Sequence, residues 1–130
     1  MYLIDTNMLI YYSNGSIPAD FRADMDRILT ESFRVSIITK LEYLGWSGFD
    51  SDSFDKAKEF VENAETINID QDITHRTISL RREGGIRLAD AVIAATAISR
   101  QLTLVTRNEN DFLNVPDISV LNPFKEDSGN

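Results

Sequence analysis

Residues 88–98 read Leu-Ala-Asp-Ala-Val-Ile-Ala-Ala-Thr-Ala-Ile, with one charged side chain, Asp90, in a run that is otherwise almost entirely apolar. This composition favours a helix, and a helix that is apolar on nearly every face is buried in the middle of its domain. A carboxylate placed there is costly unless it is paired or bound to a metal. The alternative is an aspartate of the first helical turn that faces the helix dipole. Asp90 is therefore the first candidate site residue.

Shorter apolar runs around this helix predict five strands, at residues 2–4, 34–38, 66–69, 102–105 and 118–121. Helical patterns separate them, at residues 8–12, 19–32, 39–46, 54–64, 71–83 and 88–100. Strands that alternate with helices predict an α/β fold, a central parallel sheet flanked by helices. The length of 130 residues fits one domain. We expect residues 1–124 to form it and residues 125–130 to be a disordered tail.

The amino-acid composition indicates that any bound metal has mainly oxygen ligands. The chain has no cysteine and one histidine, which excludes disulfides, thiolate catalysis and zinc sites built from cysteine or several histidines. A metal here would be a hard ion such as Mg²⁺ or Mn²⁺. Lys and Arg total 13 against 21 Asp and Glu, a net charge of −8. This balance disfavours nucleic-acid binding through a basic surface, but it does not exclude a nuclease with an acidic metal site.

The sequence contains no candidate membrane span, since no apolar run approaches the ~18–20 residues that a span needs. Residues 1–5 lack a basic region and reach an acid at once, which argues against a signal peptide. We therefore expect a cytoplasmic protein without a membrane segment.

Three further acids lie after predicted strands: Asp5, Glu42 and Asp111. Each has a structural alternative. Asp5 could cap a helix, Glu42 could form a capping box with Thr39, and Asp111 could be a turn residue. In a parallel sheet, however, these positions and Asp90 can converge at one edge. Two divalent cations about 4 Å apart would explain such a cluster and would hydrolyse a phosphodiester bond without a protein nucleophile.

Four segments resemble, in order, the motifs of PIN-domain ribonucleases, and in particular the VapC-like toxins of toxin–antitoxin pairs. They are Tyr-Leu-Ile-Asp-Thr-Asn at 2–7, Ser-Ile-Ile-Thr-Lys-Leu-Glu-Tyr-Leu-Gly at 36–45, Leu-Ala-Asp-Ala-Val-Ile-Ala-Ala-Thr-Ala at 88–97 and Leu-Val-Thr-Arg-Asn-Glu-Asn-Asp-Phe at 104–112. A lone Asp-Thr-Asn would carry no weight, but four motifs in order are specific. The resemblance extends over residues 2 to about 122 and implies a PIN-like domain.

The resemblance implies a metal-dependent endoribonuclease and a set of site residues. Many PIN domains have an aspartate where this chain has Asn108, whereas VapC-like members often have an acid just before the phenylalanine, where Asp111 stands. Our hypothesis is a weak second metal site that the RNA phosphate completes. The metal-binding and catalytic acids are then Asp5, Glu42, Asp90 and Asp111, with supporting side chains at Thr6, Asn7, Thr106 and Asn108.

The resemblance also implies partners: an RNA substrate, a cognate antitoxin encoded beside the protein, and a second copy in a homodimer. Such antitoxins typically block the site with a C-terminal segment, often using arginine. An acidic pocket suits a guanidinium as well as Mg²⁺.

Two classes of phosphoryl-acceptor protein also place aspartates at strand ends. A haloacid-dehalogenase-like phosphatase needs a second acid two residues after Asp5, where Asn7 stands, and a receiver domain needs a lysine after a late strand, where Thr106 stands. Both fit poorly. Two alternatives stay open, a catalytically degenerate PIN module that binds RNA or acts as a scaffold, and an RNA-processing PIN nuclease without an antitoxin.

Four arginines lie near the motifs, and each has two interpretations. Arg81, Arg82 and Arg87 flank Gly84-Gly85 and either contact RNA phosphates or form a solvated helix end. Arg107 either contacts a phosphate or forms a structural ion pair.

Overall fold

The computed structural model describes residues 1–124, so the predicted tail at residues 125–130 lies outside the described residues. Its strands are β1 (Tyr2–Ile4), β2 (Arg34–Ser36), β3 (Glu65–Ile67), β4 (Thr103–Val105) and β5 (Val120–Leu121). Its α-helices are α1 (Thr6–Ser13), α2 (Ala19–Glu31), α3 (Ile37–Leu44), α4 (Ser51–Val61), α5 (Gln71–Glu83) and α6 (Leu88–Ser99). A short 3-10 helix, Glu109–Phe112, follows β4.

Every strand pairing in this part of the chain is parallel, which confirms the predicted α/β fold. The strands form two groups, β1-β4-β5 and β2-β3. Leu3 lies opposite Leu104 in the first group, and Val35 lies opposite Thr66 in the second. At the junction of β1 and β2, the Tyr2 N–H donates to Ser32 Oγ at 2.8 Å. The Ser32 hydroxyl thus accepts the N–H that would otherwise donate to the carbonyl of a neighbouring strand.

The sheet separates two hydrophobic cores because successive strand residues point to opposite faces. Leu3 and Leu104 pack on one face with residues of α5 and α6. Ile4 and Val105 pack on the other face with residues of α1 to α4. Each residue from Asp90 to Ala97 is buried, so the prediction that this segment is a central helix is confirmed.

The predicted boundary between β2 and α3 is wrong. The strand ends at Ser36 rather than at residue 38, because the Ser36 hydroxyl accepts the Ile38 N–H at 3.1 Å and caps α3. The helix therefore begins at Ile37 and ends at Leu44, with Gly45 as its C-cap. Glu42 lies beyond the first turn of this helix, so the proposed capping box with Thr39 does not form. The interpretation of Glu42 as a capping-box residue is therefore wrong.

The boundaries of α4 also differ from the prediction, which placed this helix at residues 54–64. The helix begins at Ser51 because Asp50 and Ser53 form a capping box: Asp50 Oδ1 accepts the Ser53 N–H, and Ser53 Oγ accepts the Asp50 N–H. No helix in the described part of the chain is long and apolar enough to cross a membrane.

Candidate functional site

Asp5 stands where β1 ends and α1 begins. Its Oδ1 accepts the Thr6 N–H at 2.8 Å, so Asp5 is the N-cap of α1, as one interpretation of the sequence had it. Its Oδ2 accepts hydrogen bonds from Thr106 Oγ1 at 2.7 Å and from Asn7 Nδ2 at 3.0 Å. The residue is 4% exposed. One carboxylate therefore ties together the first and fourth motifs, about a hundred residues apart.

The pKa of Asp5 is raised from 3.8 to about 6. Burial is the main cause, and the negative charges of Asp90 and Glu42 raise the pKa further. The hydrogen bonds from Thr106 and from the Thr6 backbone lower it and only partly offset these effects. The carboxylates of Glu42 in α3 and Asp90 in α6 thus lie within electrostatic range of Asp5, the N-cap of α1.

Glu42 lies on the exposed side of α3 and faces α1. Its Oε1 accepts a hydrogen bond from Thr6 Oγ1 at 2.8 Å. The same hydroxyl lies 3.3 Å from Thr39 Oγ1. Thr6 therefore uses its backbone N–H on Asp5 and its hydroxyl on Glu42, which fixes these two acids relative to each other.

Asp90 is buried in the first turn of α6 and pairs with Arg87, the N-cap residue of that helix. Arg87 Nε lies 3.1 Å from Asp90 Oδ2, and Arg87 Nη2 lies 3.4 Å from Oδ1. The pKa of Arg87 is raised, mainly by its hydrogen bond to Asp90 and the charge of Asp90, and further by the charges of Asp111 and Glu42. The guanidinium therefore lies within the field of three acids.

The fourth motif supplies Thr106, Asn108 and Asp111. The buried Thr106 hydroxyl donates to Asp5 and accepts the Asn108 N–H at 3.1 Å, so it links the two chain segments. Asn7 contributes to the same junction, because its Oδ1 accepts the Arg107 N–H at 3.3 Å. Asn108 and Asp111 are both exposed, with Asp111 on the 3-10 helix.

A cavity of about 370 Å³ opens beside Asp90. It lies between the loop from Gly84 to Arg87 and the 3-10 helix, and Asp111 also lines it. Asn108 is not among its lining residues. Asp111 rather than Asn108 therefore shares a cavity with Asp90.

The structure changes the interpretation of the arginines. The Arg107 guanidinium lies over the rings of Phe124, at 4.5 Å from the centroid, and Tyr11, at 5.1 Å, which is a cation–π arrangement. Arg81 Nη1 donates to the Ile86 carbonyl at 2.6 Å and so braces the loop before α6. The pairing of Arg87 with Asp90 was missed, although the spacing of three residues at a helix start could have indicated it.

The donor set suits a hard divalent cation, because it consists of carboxylate, hydroxyl and amide oxygens. In the described residues no three Asp, Glu, His or Cys side chains are close enough to hold a metal as they stand. Each of the three acids is instead held by a partner from the protein. The donor chemistry and the raised pKa of Asp5 fit such an ion, provided that these acids turn toward it.

Comparison with known proteins identifies the family. A family model described as the PIN domain matches residues 2–118, so the chain belongs to the PIN-domain family. PIN domains are generally nucleases. No curated protein sequence matches the chain significantly.

Solved structures agree with this assignment. A chain of a toxin–antitoxin complex from Klebsiella pneumoniae is 30% identical and has a TM-score of 0.78, with 96% of this chain and 99% of that chain covered. A chain of VapBC2 from Rickettsia felis, bound to a DNA fragment from its promoter, is 25% identical with a TM-score of 0.78, covering 93% and 97%. The DNA-bound VapBC of Salmonella typhimurium is 22% identical with a TM-score of 0.81, covering 94% and 97%, and shares the fold. The resemblance drawn from the four motifs is confirmed.

Proposed function

We propose that this protein is a Mg²⁺- or Mn²⁺-dependent endoribonuclease and the toxin of a toxin–antitoxin pair. The observation that carries the proposal is the buried Asp5, whose pKa is raised to about 6 by burial and by the charges of Asp90 and Glu42. Capping of α1 needs only the carboxylate of Asp5, so it does not explain why the carboxylates of Glu42 and Asp90 lie near enough to raise its pKa. A divalent cation would relieve the repulsion between them. Membership of the PIN-domain family supports nuclease chemistry.

In this proposal Asp5, Glu42, Asp90 and Asp111 hold the cation, and neighbouring side chains position them. Lewis acidity and neutralisation of the charge that develops at phosphorus are the chemistry that a bound divalent ion would supply. Thr106 and Asn7 hold Asp5 by donating to its Oδ2. Thr6 holds Glu42. These donors fix the directions of two carboxylates before RNA arrives, and Asn108 continues the chain of hydrogen bonds through Thr106.

The proposed partners are an RNA substrate, a cognate antitoxin and a second copy of the chain in a homodimer. The structural neighbours from Klebsiella pneumoniae and Rickettsia felis come from toxin–antitoxin complexes, which supports the antitoxin. The acids that would bind a cation would also bind an arginine from an inhibitory segment. We place this activity in the cytoplasm, where such a nuclease meets its RNA.

The first test is cleavage of a mixed cellular RNA pool by the purified protein. Parallel reactions contain Mg²⁺, Mn²⁺ or EDTA, and a further set contains Asp90→Asn. We expect discrete fragments that require metal and disappear in the variant, and sequencing of their ends would identify the target. Cleavage that survives EDTA or the substitution would show that this site is not responsible.

Absence of cleavage in every reaction would favour the degenerate PIN module, provided that an RNA pool from the native organism was used. Metal-dependent cleavage by a protein whose gene has no antitoxin neighbour would instead favour the RNA-processing nuclease. The cleavage assay therefore separates the proposal from the degenerate module, and the neighbouring gene separates it from the RNA-processing nuclease.

Asp111→Ala is expected to reduce cleavage by about 10–100-fold, less than the loss of Asp5 or Asp90. Asp111 is exposed on the 3-10 helix and lines the same cavity as Asp90. The measurement is kcat/KM on one RNA identified in the pool, with Asn108→Ala as the comparison. A complete loss of cleavage in Asp111→Ala would show that Asp111 is as important for metal binding as Asp90. A larger effect of Asn108→Ala would show that Asn108 is the ligand and Asp111 the supporting residue.

A further inference from the structure

Arg87 occupies a position that helix energetics disfavour. It is the N-cap of α6 and makes no side-chain capping hydrogen bond. Residues preferred there carry an oxygen that accepts a backbone N–H, and a guanidinium has no acceptor. Its positive charge also faces the positive end of the helix dipole. Neither capping nor the helix dipole therefore favours an arginine at this position.

The surroundings of Arg87 supply a reason. Its guanidinium contacts both oxygens of Asp90, the only acid of α6. Asp111 lines the same cavity as Arg87 and Asp90, and Arg87 is the only Lys or Arg among the described residues that line it. The guanidinium thus lies beside acids that would surround a metal ion, and it uses the oxygens of Asp90 that such an ion would need.

We propose that Arg87 occupies the acid site of the metal-free protein and is exchanged for a divalent cation when one binds. This inference rests on the proposed metal site and adds a regulator to it. Arg87 neutralises Asp90 in the metal-free protein and competes with the cation for the same carboxylate.

The exchange moves the Arg87 side chain, lets the acids turn toward the cation and leaves the core in place. The Arg87 side chain is 75% exposed, whereas that of Asp90 is 11% exposed. The arginine follows Gly84 and Gly85, both of which have positive φ, and Arg81 braces this loop through the Ile86 carbonyl. The guanidinium can rotate into solvent without movement of the α6 backbone, which frees the Asp90 carboxylate to turn toward the cation.

The test is Mn²⁺ binding to the EDTA-treated and dialysed protein, measured by calorimetry without RNA. We expect Arg87→Ala to bind Mn²⁺ roughly three- to tenfold more tightly than the wild type, because a competing cation has been removed. Arg87→Lys should lie between the two, since an ammonium cannot bind both carboxylate oxygens in the same way. Arg82→Ala is the matched control and should be unchanged, because Arg82 is exposed near the end of α5 and does not line the cavity.

A double-substitution cycle separates competition from a general change of charge. In an Asp90→Asn background the effect of Arg87→Ala should largely disappear, since the shared carboxylate is gone. Circular dichroism of each variant verifies that it is folded before titration.

Unchanged or weaker Mn²⁺ binding by Arg87→Ala would overturn the inference, and so would an equal gain in Arg82→Ala. If neither the wild type nor Arg87→Ala binds Mn²⁺, the metal site and the inference fall together. If Arg87→Ala binds Mn²⁺ more tightly but the wild type cleaves no RNA, the exchange stands and the proposed nuclease function fails.

Discussion

Asp90→Asn is expected to lower metal-dependent RNA cleavage by about a thousandfold or more and to leave the fold intact. Asparagine keeps the shape of aspartate, so the packing of the buried first turn of α6 is preserved. The neutral amide, however, binds a divalent cation far more weakly than a carboxylate does. Cleavage rate and circular dichroism, measured on the same preparation, check both parts of the prediction.

The matched control for Asp90→Asn is Asp24→Asn, the same chemical change on the exposed surface of α2, where Asp24 pairs with Arg27 at 3.8 Å. This variant should cleave at the wild-type rate. Wild-type cleavage by Asp90→Asn would remove Asp90 from the site. A loss of cleavage accompanied by a loss of helical signal would point to the fold, and Asp90→Glu would then be used to distinguish charge from packing.

Asp5→Asn is expected to abolish cleavage and, in the metal-free protein, to gain about 2 kcal/mol of stability relative to the wild type as the pH rises from 4 to 7.5. At low pH the variant starts from a deficit, because its amide NH₂ group faces the hydrogen-bond donors of Asn7 and Thr106. The folded state holds Asp5 with a pKa of about 6, above the ordinary value of 3.8. The folded state therefore binds the Asp5 proton more tightly than the unfolded chain does. The stability that this provides is fully present below pH 3.8 and is lost as the pH rises through 6. Asparagine, which is always neutral, avoids this loss.

Urea denaturation in EDTA at several pH values checks the prediction. The free energy of unfolding of Asp5→Asn, less that of the wild type, should be largest above pH 6 and should fall toward pH 4. Mn²⁺ should stabilise the wild type and not the variant. A variant that is less stable than the wild type by the same amount at every pH would show that the hydrogen bonds from Thr6, Asn7 and Thr106 dominate and that the charge matters little.

The order of strands and helices was predictable because each element has its own local pattern of apolar and polar residues. The apolar segment from Asp90 to Ala97 has one stable location, the centre of the domain, and the structure places it there. The boundary at Ser36 was not predictable in the same way. Ile37 and Ile38 are β-branched and favour a strand, but the Ser36 cap and the packing of α3 override this preference.

The candidate site was likewise predictable only in part. The positions of Asp5, Glu42 and Asp90 relative to the strands led to the prediction that they form one site, and the charges of Glu42 and Asp90 do act on Asp5, but their role as metal ligands stays a prediction. Their hydrogen-bond partners were not predictable, because Thr106 meets Asp5 only through the pairing of β1 with β4. The pairing of Arg87 with Asp90 differs from these contacts, because it joins residues three apart at a helix start and its spacing could have indicated it.

The pairing of β1 with β4 has a consequence for synthesis on the ribosome. Residues 2–4 are made first, yet their strand partner at residues 103–105 appears about a hundred residues later. Asp5 likewise meets Thr106 only when that late segment has left the exit tunnel. A nascent chain therefore lacks the junction that organises its acids until the segment around residues 103–106 has been made, because contacts this distant in sequence form last. A chain interrupted before that segment should accordingly lack the proposed nuclease activity.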